Sequence, residues 1–272
     1  MTIPEFSLAE LMTAAASQAF DHDGEVLATG IGVLPRLAAS LSMLSSNPDL
    51  MMTDSQSYVL SKPNPISGLA GHTGQANECW MGFSRIFDSV WSGKRHAMVG
   101  PSQIDQFGQA NISALGGTYQ SPKVQLLGVR GFPGNSISHA NSFFIPKHST
   151  RVFVSGECDV VASAGYNPAR LPKGYSVDDI DLRLVITDLC VMDFRGPAHQ
   201  MRIVSLHPGV SEQAVRDNTG FELAVADNLT TTTAPTEVQL MLMAELDPKN
   251  IRARQIKDNP PGIRPPAEEY AI

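Results

Sequence analysis

The chain has 272 residues, 42% hydrophobic and 17% charged, a composition typical of a soluble globular protein. Its net charge of −7 argues against nucleic-acid binding, because a nucleic-acid footprint is a basic stripe. No apolar run approaches the roughly 20 residues of a membrane span, and the start, MTIPEFSLAEL, lacks the basic and apolar regions of a signal peptide.

The first fifty residues alternate helix and strand signals. Ser7–Glu10 forms a capping box before apolar residues at helical spacing, which predicts a first helix. Residues 25–29 (EVLAT) predict a short strand, Gly30-Ile31-Gly32 a tight turn, and Pro35 the first turn of a second helix. A second strand is predicted at residues 50–53. The order strand, helix, strand indicates a parallel sheet.

Farther along, three apolar runs predict buried strands: residues 123–128, 151–155 and 182–188. Residues 237–246 predict a final helix, and the prolines after it indicate an irregular tail. We therefore predict one α/β domain over residues 1–246, an open and mainly parallel sheet with flanking helices, followed by an extended arm over residues 247–272.

The cysteines and histidines indicate a compartment and argue against a metal. The three cysteines, Cys79, Cys158 and Cys190, are far apart in the sequence, so we expect buried thiols in a reducing cytoplasm. No histidine or cysteine cluster has the spacing of metal ligands, and we predict no metal site.

Two features near the second strand are candidates for a ligand site. The Gly30-Ile31-Gly32 turn resembles the start of a dinucleotide-binding fingerprint, but Pro35 occupies the place of the third glycine, so a plain strand-to-helix turn is the stronger interpretation. Asp54 follows a strand, and α/β folds bind ligands at the carboxyl ends of parallel strands. Locally, a pocket carboxylate and a solvated strand-end or capping residue fit Asp54 equally well.

Two glycine-containing loops supply further candidates. Residues 99–111 carry Gln103 and Asn111, whose side chains could hydrogen-bond a ligand, although the segment is also typical of a β-turn. Residues 128–136 could hold a thioester carbonyl by backbone amides, and Arg130 could meet a carboxylate or a CoA phosphate.

Four segments, in order, resemble the beta subunit of the family I CoA-transferases, most of all the glutaconate type. The segments are GIGVLPRLAASL (residues 30–41), SQIDQFGQANIS (102–113), LVITDLCVMDF (184–194) and LHPGVSEQAVRDNTGFEL (206–223). The resemblance runs from about Leu8 to Leu246 and implies the family's α/β fold.

The family's transferase nucleophile is a beta-subunit glutamate that ends the second strand, and this chain lacks it. Thr53-Asp54-Ser55-Gln56 occupies that place, so Asp54 or, after a one-residue shift, Ser55 stands at the glutamate. The nucleophile must form an anhydride and then a CoA thioester by direct attack. Aspartate is shorter by about 1.5 Å, and a misplacement of about 1 Å can cost on the order of 10²-fold in rate. Serine cannot form the anhydride.

This departure resembles the steroid ring-opening branch of the family, whose members lack the glutamate. Its hydrolases cleave a carbon–carbon bond in a cyclic β-keto (6-oxocyclohexene carboxyl) CoA thioester, and DSQS and GFPGNS resemble its beta subunit. The resemblance implies that water adds to the ring ketone and that the thioester stabilises the resulting enolate. Coenzyme A belongs to the substrate, so no separate cofactor is expected.

The resemblance also implies a partner and a division of labour. We expect an alpha subunit, an (αβ)2 heterotetramer, and a main general base on that alpha subunit. Asp54 and Ser55 then have a pocket role. The predicted substrate contacts are Gln103, Asn111, Arg130, Gly131 and Asn135. Two alternatives stay open: a glutaconate-type or 3-oxoacid CoA-transferase that uses Asp54, and a non-catalytic subunit that binds CoA.

Overall fold

The computed structural model describes residues 6–54, 57–66, 77–257 and 259. Its contacts divide the chain into two compact units, unit 1 (residues 1–99 and 233–272) and unit 2 (residues 100–232). The sequence predicts a single domain over residues 1–246, a stretch that contains all of unit 2 and most of unit 1. The number of independently folding domains stays a prediction.

The helices and strands are as follows. The helices are α1 (Leu8–Ser17), α2 (Val33–Leu44), α3 (Gly82–Trp91), α4 (Phe132–Ser138), α5 (Glu212–Asp217) and α6 (Glu237–Leu246). The strands are β1 (Leu27–Gly30), β2 (Met52–Thr53), β3 (Tyr58–Leu60), β4 (Asn77–Trp80), β5 (Arg95–Val99), β6 (Gln103–Ile104), β7 (Ala110–Asn111), β8 (Ala114–Thr118), β9 (Ser121–Gln125), β10 (Ala140–Ile145), β11 (Leu182–Thr187), β12 (Cys190–Asp193), β13 (Arg202–Leu206) and β14 (Ala224–Thr231).

The predicted start of unit 1 is confirmed. The Ser7 hydroxyl accepts a hydrogen bond from the Glu10 amide, and the Glu10 carboxylate accepts one from the Ser7 amide at 2.8 Å, which closes the first turn of α1. Pro35 lies in the first turn of α2. Strand β1 pairs in parallel with β5, and Leu27 also forms a parallel bridge with Met51 just before β2. The parallel arrangement expected around α2 is present.

The three helices of unit 1 that the sequence predicts, α1, α2 and α6, meet in one apolar cluster. Helices α1 and α2 each contribute buried apolar side chains, and α6 covers them as the predicted final helix. The buried members are Ala14, Leu37, Leu41, Met243 and Leu246. Burying a leucine-sized side chain contributes about 1.5–3 kcal/mol, so this cluster fixes α6 against the start of the chain.

Strands β2, β3 and β4 form a separate antiparallel sheet in unit 1. Its edge strand β4 leads directly into α3. Cys158 and Cys190 are buried as expected, but the expectation is wrong for Cys79, which is exposed because β4 is an edge strand of this small sheet.

Unit 2 contains a mixed sheet in the order β10-β11-β12-β13-β14. The pairs β10–β11 and β13–β14 are parallel, whereas β12 runs antiparallel to both of its neighbours. With β1–β5, three of the five pairings described for these longer strands are parallel. The predicted α/β fold with a mainly parallel sheet and flanking helices is confirmed.

Two of the three predicted buried strands differ in the structure. The run 182–188 is β11, as predicted. The run 123–128 overlaps the end of β9, which pairs with β8 in a hairpin and leaves Val124 exposed on its surface. The run 151–155 is not a strand, although Phe153 is buried and forms a single bridge to β6. An apolar run indicates burial. The strands of a hairpin, however, form their backbone hydrogen bonds with each other, and their side chains can stay exposed.

The described part of the predicted C-terminal arm is packed rather than extended. Residues 251–254 form a 3₁₀ turn, and the Arg252 guanidinium lies 3.1 Å from the Glu10 carboxylate of α1. It also lies 3.2 Å from the Asp247 carboxylate. This buried ion group joins the segment around Arg252 to α1. Removing one partner would leave an uncompensated buried charge, so we expect such a change to be destabilising. From residue 260 onward the arm lies outside the described residues.

None of the helices in the described part of the chain has the length and hydrophobicity of a membrane-spanning segment. The same residues contain no group of three or more side chains that could together hold a metal ion.

Candidate active site

Asp54 lies directly after β2, at the start of the connection to β3. Its amide donates to the Tyr58 carbonyl at 3.1 Å, and the Tyr58 amide donates to Oδ1 of the Asp54 carboxylate at 3.0 Å. The side chain is only 7% exposed. One carboxylate oxygen therefore closes the turn, in the manner of aspartates that bond to nearby backbone. Ser55, the other candidate for the glutamate position, lies outside the described residues.

The turn after β1 brings the start of α2 to the same edge of unit 1. A side chain at Gly30 has no room, because its Cβ would lie 2.4 Å from backbone atoms of Pro35 and Arg36. Gly32 follows at φ +112, a conformation that favours glycine, and α2 begins at the next residue without a side-chain cap. The predicted strand-to-helix turn is confirmed.

Arg36 of α2 and Asp54 form an electrostatic pair at this edge. Burial lowers the pKa of the Arg36 guanidinium, and the negative charge of Asp54 acts in the opposite direction. The guanidinium stays cationic, because an arginine side chain keeps its proton at neutral pH. Sequence analysis did not identify Arg36, although its position four residues after Gly32 in the family segment GIGVLPRLAASL was a usable signal.

Gln103 and Asn111 lie opposite each other in the β6–β7 hairpin of unit 2. The Asn111 amide donates to the Gln103 side-chain oxygen at 2.7 Å, and the Gln103 amide donates to the Asp159 carboxylate at 3.0 Å. Asp159 in turn accepts from the Gly116 amide at 2.9 Å. The two predicted contact residues therefore support the β8–β9 hairpin. A direct contact with substrate stays a prediction for both.

The same hairpin surrounds a buried carboxylate. Asp105 accepts hydrogen bonds from the amides of Phe107 and Gln109, at 3.0 and 3.1 Å, and from the Gln109 side chain. Burial raises the pKa of Asp105 to about 6, although these donors act to lower it. The Gly108 amide donates to the Asp105 carbonyl at 3.0 Å, so the β-turn that the sequence indicates here is present. All of these bonds lie inside the hairpin, and their role is to hold its shape.

Arg130, Gly131 and Asn135 occupy the loop before and within α4. Arg130 and Gly131 are exposed, and Arg130 has the left-handed φ of +50. Gly131 precedes the first turn of α4, where the Asn135 amide donates to the Gly131 carbonyl at 3.1 Å. These three residues are close in the structure and accessible, as a substrate-binding loop requires. Their contact with substrate stays a prediction.

Two of the family segments meet at a buried histidine in unit 2. The ring nitrogens of His148 lie 3.1 Å from the Thr187 hydroxyl and 2.9 Å from the Thr219 hydroxyl. The ring stacks on Phe153 with centroids 3.9 Å apart. Burial lowers the pKa of His148 to about 3, with a smaller contribution from Lys147, so the imidazole is neutral at neutral pH. It acts as a structural link.

Comparison with known proteins places these features in a family, although no protein-family model matches the chain. The cholesterol ring-cleaving hydrolase IpdB subunit of Rhodococcus jostii is 38% identical over 256 residues, which cover 94% of this chain and 98% of that subunit. The corresponding subunit of the 3-oxoadipate CoA-transferase of Pseudomonas knackmussii is 32% identical over 253 residues, 91% of this chain and 96% of that subunit.

Among solved structures, Rhodococcus jostii RHA1 IpdAB matches with a TM-score of 0.85 and 37% identity, covering 93% of this chain and 99% of that chain. The glutaconate coenzyme A-transferase of Acidaminococcus fermentans has the same fold, with a TM-score of 0.74, 22% identity, and coverage of 90% of this chain and 96% of that one. The chain therefore belongs to the family I CoA-transferase superfamily, in the branch that contains the IpdB subunits.

Proposed function

We propose that this chain is the beta subunit of a heteromeric hydrolase that opens the last steroid ring of a cyclic β-keto CoA thioester. One observation carries the proposal: the chain is 38% identical, over nearly its whole length, to the cholesterol ring-cleaving hydrolase IpdB subunit. The absence of the transferase glutamate supports it. By the resemblance, Asp54 or Ser55 stands in that place, and an Asp54 carboxylate oxygen accepts a hydrogen bond from the Tyr58 amide.

The proposed reaction adds water to the ring ketone of a 6-oxocyclohexene carboxyl-CoA. The ring bond between the former ketone carbon and the carbon next to the thioester then breaks, and its electron pair passes to that carbon as a thioester-stabilised enolate. Protonation of the enolate leaves a new carboxylate, while CoA stays attached. Because the reaction neither oxidises nor reduces the substrate, it needs no cofactor beyond the CoA that the substrate carries.

The residues of this chain have supporting roles in the proposal. Asp54 and Ser55 line the pocket and position water, and Arg36 supplies a positive charge beside Asp54. Arg130, Gly131 and Asn135 contact the substrate, with the exposed Arg130 available for a carboxylate or a CoA phosphate. The main general base comes from an alpha subunit in an (αβ)2 assembly, and the complex works in the cytoplasm.

A second function is favoured by a different observation. The 32% identity to a subunit of a 3-oxoadipate CoA-transferase also covers most of the chain, so a transferase with Asp54 as a retuned nucleophile is the alternative. A third possibility, a non-catalytic subunit that binds CoA, predicts that no substitution in this chain alters the chemical step.

The test uses this chain purified with its alpha subunit. A cyclic β-keto acyl-CoA is added in ¹⁸O water without an acceptor acid, and mass spectrometry follows the CoA species. We expect a CoA product heavier by one water, with the label in a new carboxylate. A reaction that starts only when a free carboxylic acid is supplied, and then exchanges CoA, would show that the transferase is correct. The matched control is the same complex carrying Asp54→Ala.

A further inference from the structure

Helix α3 of unit 1 exposes a row of aromatic side chains. Phe83, Phe87 and Trp91 are 64%, 66% and 68% exposed, and Trp80, at the end of β4, is 62% exposed. We call these four residues the aromatic stripe. Large apolar side chains exposed together on a folded protein mark a surface that another molecule covers.

The stripe is continuous. Residues four apart on a helix are neighbours on its surface, so Phe83, Phe87 and Trp91 follow one another along about two turns of α3. The Trp80 ring lies over the start of the helix, where a Cβ on Gly82 would be 3.6 Å from it. At about 200 Å² for each aromatic side chain, the stripe exposes on the order of 500 Å². That is more than half of the roughly 800 Å² that each partner contributes to a standard protein interface.

The stripe begins beside the Asp54 turn. Trp80 is the register partner of Tyr58 in the β3–β4 ladder, and Tyr58 is the residue whose amide bonds to the Asp54 carboxylate. The amide of Met81, between Trp80 and α3, donates to the carbonyl of Ser57 within the turn at 2.8 Å. A protein that covers the stripe therefore lies next to the candidate pocket.

We propose that the aromatic stripe is the surface that contacts the alpha subunit. This inference rests on the proposed function, in which the alpha subunit must place a general base close to Asp54. A partner on the stripe is in that position, because only one strand pairing separates Trp80 from the Asp54 turn. The net charge of −7 disfavours an anionic membrane as the occupant, since basic residues are what such a surface attracts.

The experiment uses the only two tryptophans of the chain, Trp80 and Trp91, both of which belong to the stripe. The chain is labelled with 5-fluorotryptophan and combined with unlabelled alpha subunit, so that ¹⁹F NMR reports on the stripe alone. We expect both resonances to move, and both to lose most of their shift difference between H₂O and D₂O, on formation of the complex.

Variants test the energetic contribution of the stripe. Phe87→Glu places a charge in its centre, and we expect the Kd for the alpha subunit to rise at least about 30-fold, as for a central aromatic anchor. Phe87→Leu keeps an apolar contact and should recover most of the affinity. Arg85→Glu places a glutamate on an exposed part of α3 off the stripe, with a charge change of −2 against −1 for Phe87→Glu, and should still change the Kd less than about threefold. Thermal unfolding of each isolated variant verifies that it is folded.

Three outcomes would overturn the proposal. If Phe87→Glu forms an active complex with unchanged Kd, the surface that contacts the alpha subunit lies elsewhere and the proposed function stands. If the isolated chain self-associates, and Phe87→Glu abolishes only that association, the occupant is a second copy of this chain. If the wild-type chain forms no complex with the alpha subunit, both the stripe assignment and the heteromeric part of the proposed function are wrong.

Discussion

The Asp54 carboxylate accepts a hydrogen bond of 3.0 Å from the Tyr58 amide, so this candidate for the family's nucleophile position also holds β2 and β3 together at their connected ends. A carboxylate bonded to backbone four residues away has less freedom to attack a thioester than one that extends into a pocket. Substitutions at Asp54 therefore change two properties, the stability of the turn and the charge beside Arg36, and the two can be separated.

Asp54→Asn and Asp54→Ala separate them. Asparagine keeps an oxygen that accepts from the Tyr58 amide, whereas alanine does not, so we expect Asp54→Ala to lower the free energy of unfolding by about 1 kcal/mol more than Asp54→Asn does. Both variants remove the charge and should lower kcat similarly if the charge acts on water or substrate. Urea unfolding and steady-state turnover of the complex measure the two effects. Unchanged turnover in both variants would contradict a pocket role for Asp54.

Gly131→Ala tests the predicted substrate loop without disturbing the fold. A Cβ at Gly131 meets no atom within 4 Å, and its φ of −83 suits any residue, so we expect thermal stability close to wild type. If the backbone approaches the thioester, the added methyl group should lower kcat/KM by about 10- to 100-fold. The control is Gly128→Ala, also in open space but at φ +78, which should lose stability. Normal kcat/KM in Gly131→Ala would exclude close contact at this position.

Gly30→Ala tests the coupling of the β1–α2 turn to Arg36. The new Cβ would lie 2.4 Å from the Arg36 nitrogen and from Pro35 backbone atoms, so α2 must shift to accommodate it. We expect a loss of about 1–3 kcal/mol in the free energy of unfolding, measured by denaturant titration, together with lower turnover. Gly131→Ala, where the added group meets nothing, serves as the stability control. Wild-type stability of Gly30→Ala would show that the turn is more adaptable than the structure indicates.

His148 makes the stability of the protein fall in acid. Its folded-state pKa is about 3, whereas an unfolded histidine has a pKa near 6.5. Below pH 6.5 the unfolded chain gains a proton at this residue and the folded chain does not, so acid stabilises the unfolded state. The effect is absent above pH 6.5 and reaches roughly 2–3 kcal/mol by pH 4.5.

The difference between wild type and His148→Gln isolates that effect, because other groups titrate in both proteins. The variant should be less stable at pH 7.5, where it only loses packing on Phe153 and bonds to two threonines. We expect this deficit to shrink steadily between pH 6.5 and pH 4.5 in urea unfolding experiments. A deficit that is independent of pH would mean that His148 titrates normally in the folded protein.

Of the helices described in unit 1, the sequence predicts α1, α2 and α6, whose signals are local, but it does not predict α3. The Ser7–Glu10 capping box and the run at residues 237–246 act within a few residues of chain, and α1 and α6 follow them closely. The predictions of buried strands at residues 123–128 and 151–155 are wrong because strand pairing and burial depend on residues that are distant in the sequence. Val124 lies in an apolar run that is typical of a core strand, yet β9 pairs with β8 in a hairpin and this side chain is exposed.

The candidate site was predictable in position but not in detail. The family resemblance located Asp54 at the end of the second strand, and the structure places it there. Nothing in the sequence shows that its carboxylate bonds to Tyr58, since that depends on how β2 and β3 pair. Arg36 was missed because its approach to Asp54 depends on how α2 leaves the Gly30 turn.

The SQIDQFGQANIS hairpin has a consequence for how such proteins are classified. Gln103, Asp105 and Asn111 bond within unit 2, and a side chain at Gly108 would lie 2.7 Å from atoms of Leu182 and Phe194. These four positions of the segment therefore have structural roles within unit 2. A search that relies on these positions detects the scaffold of unit 2, and a reaction has to be assigned from the residues that contact the substrate.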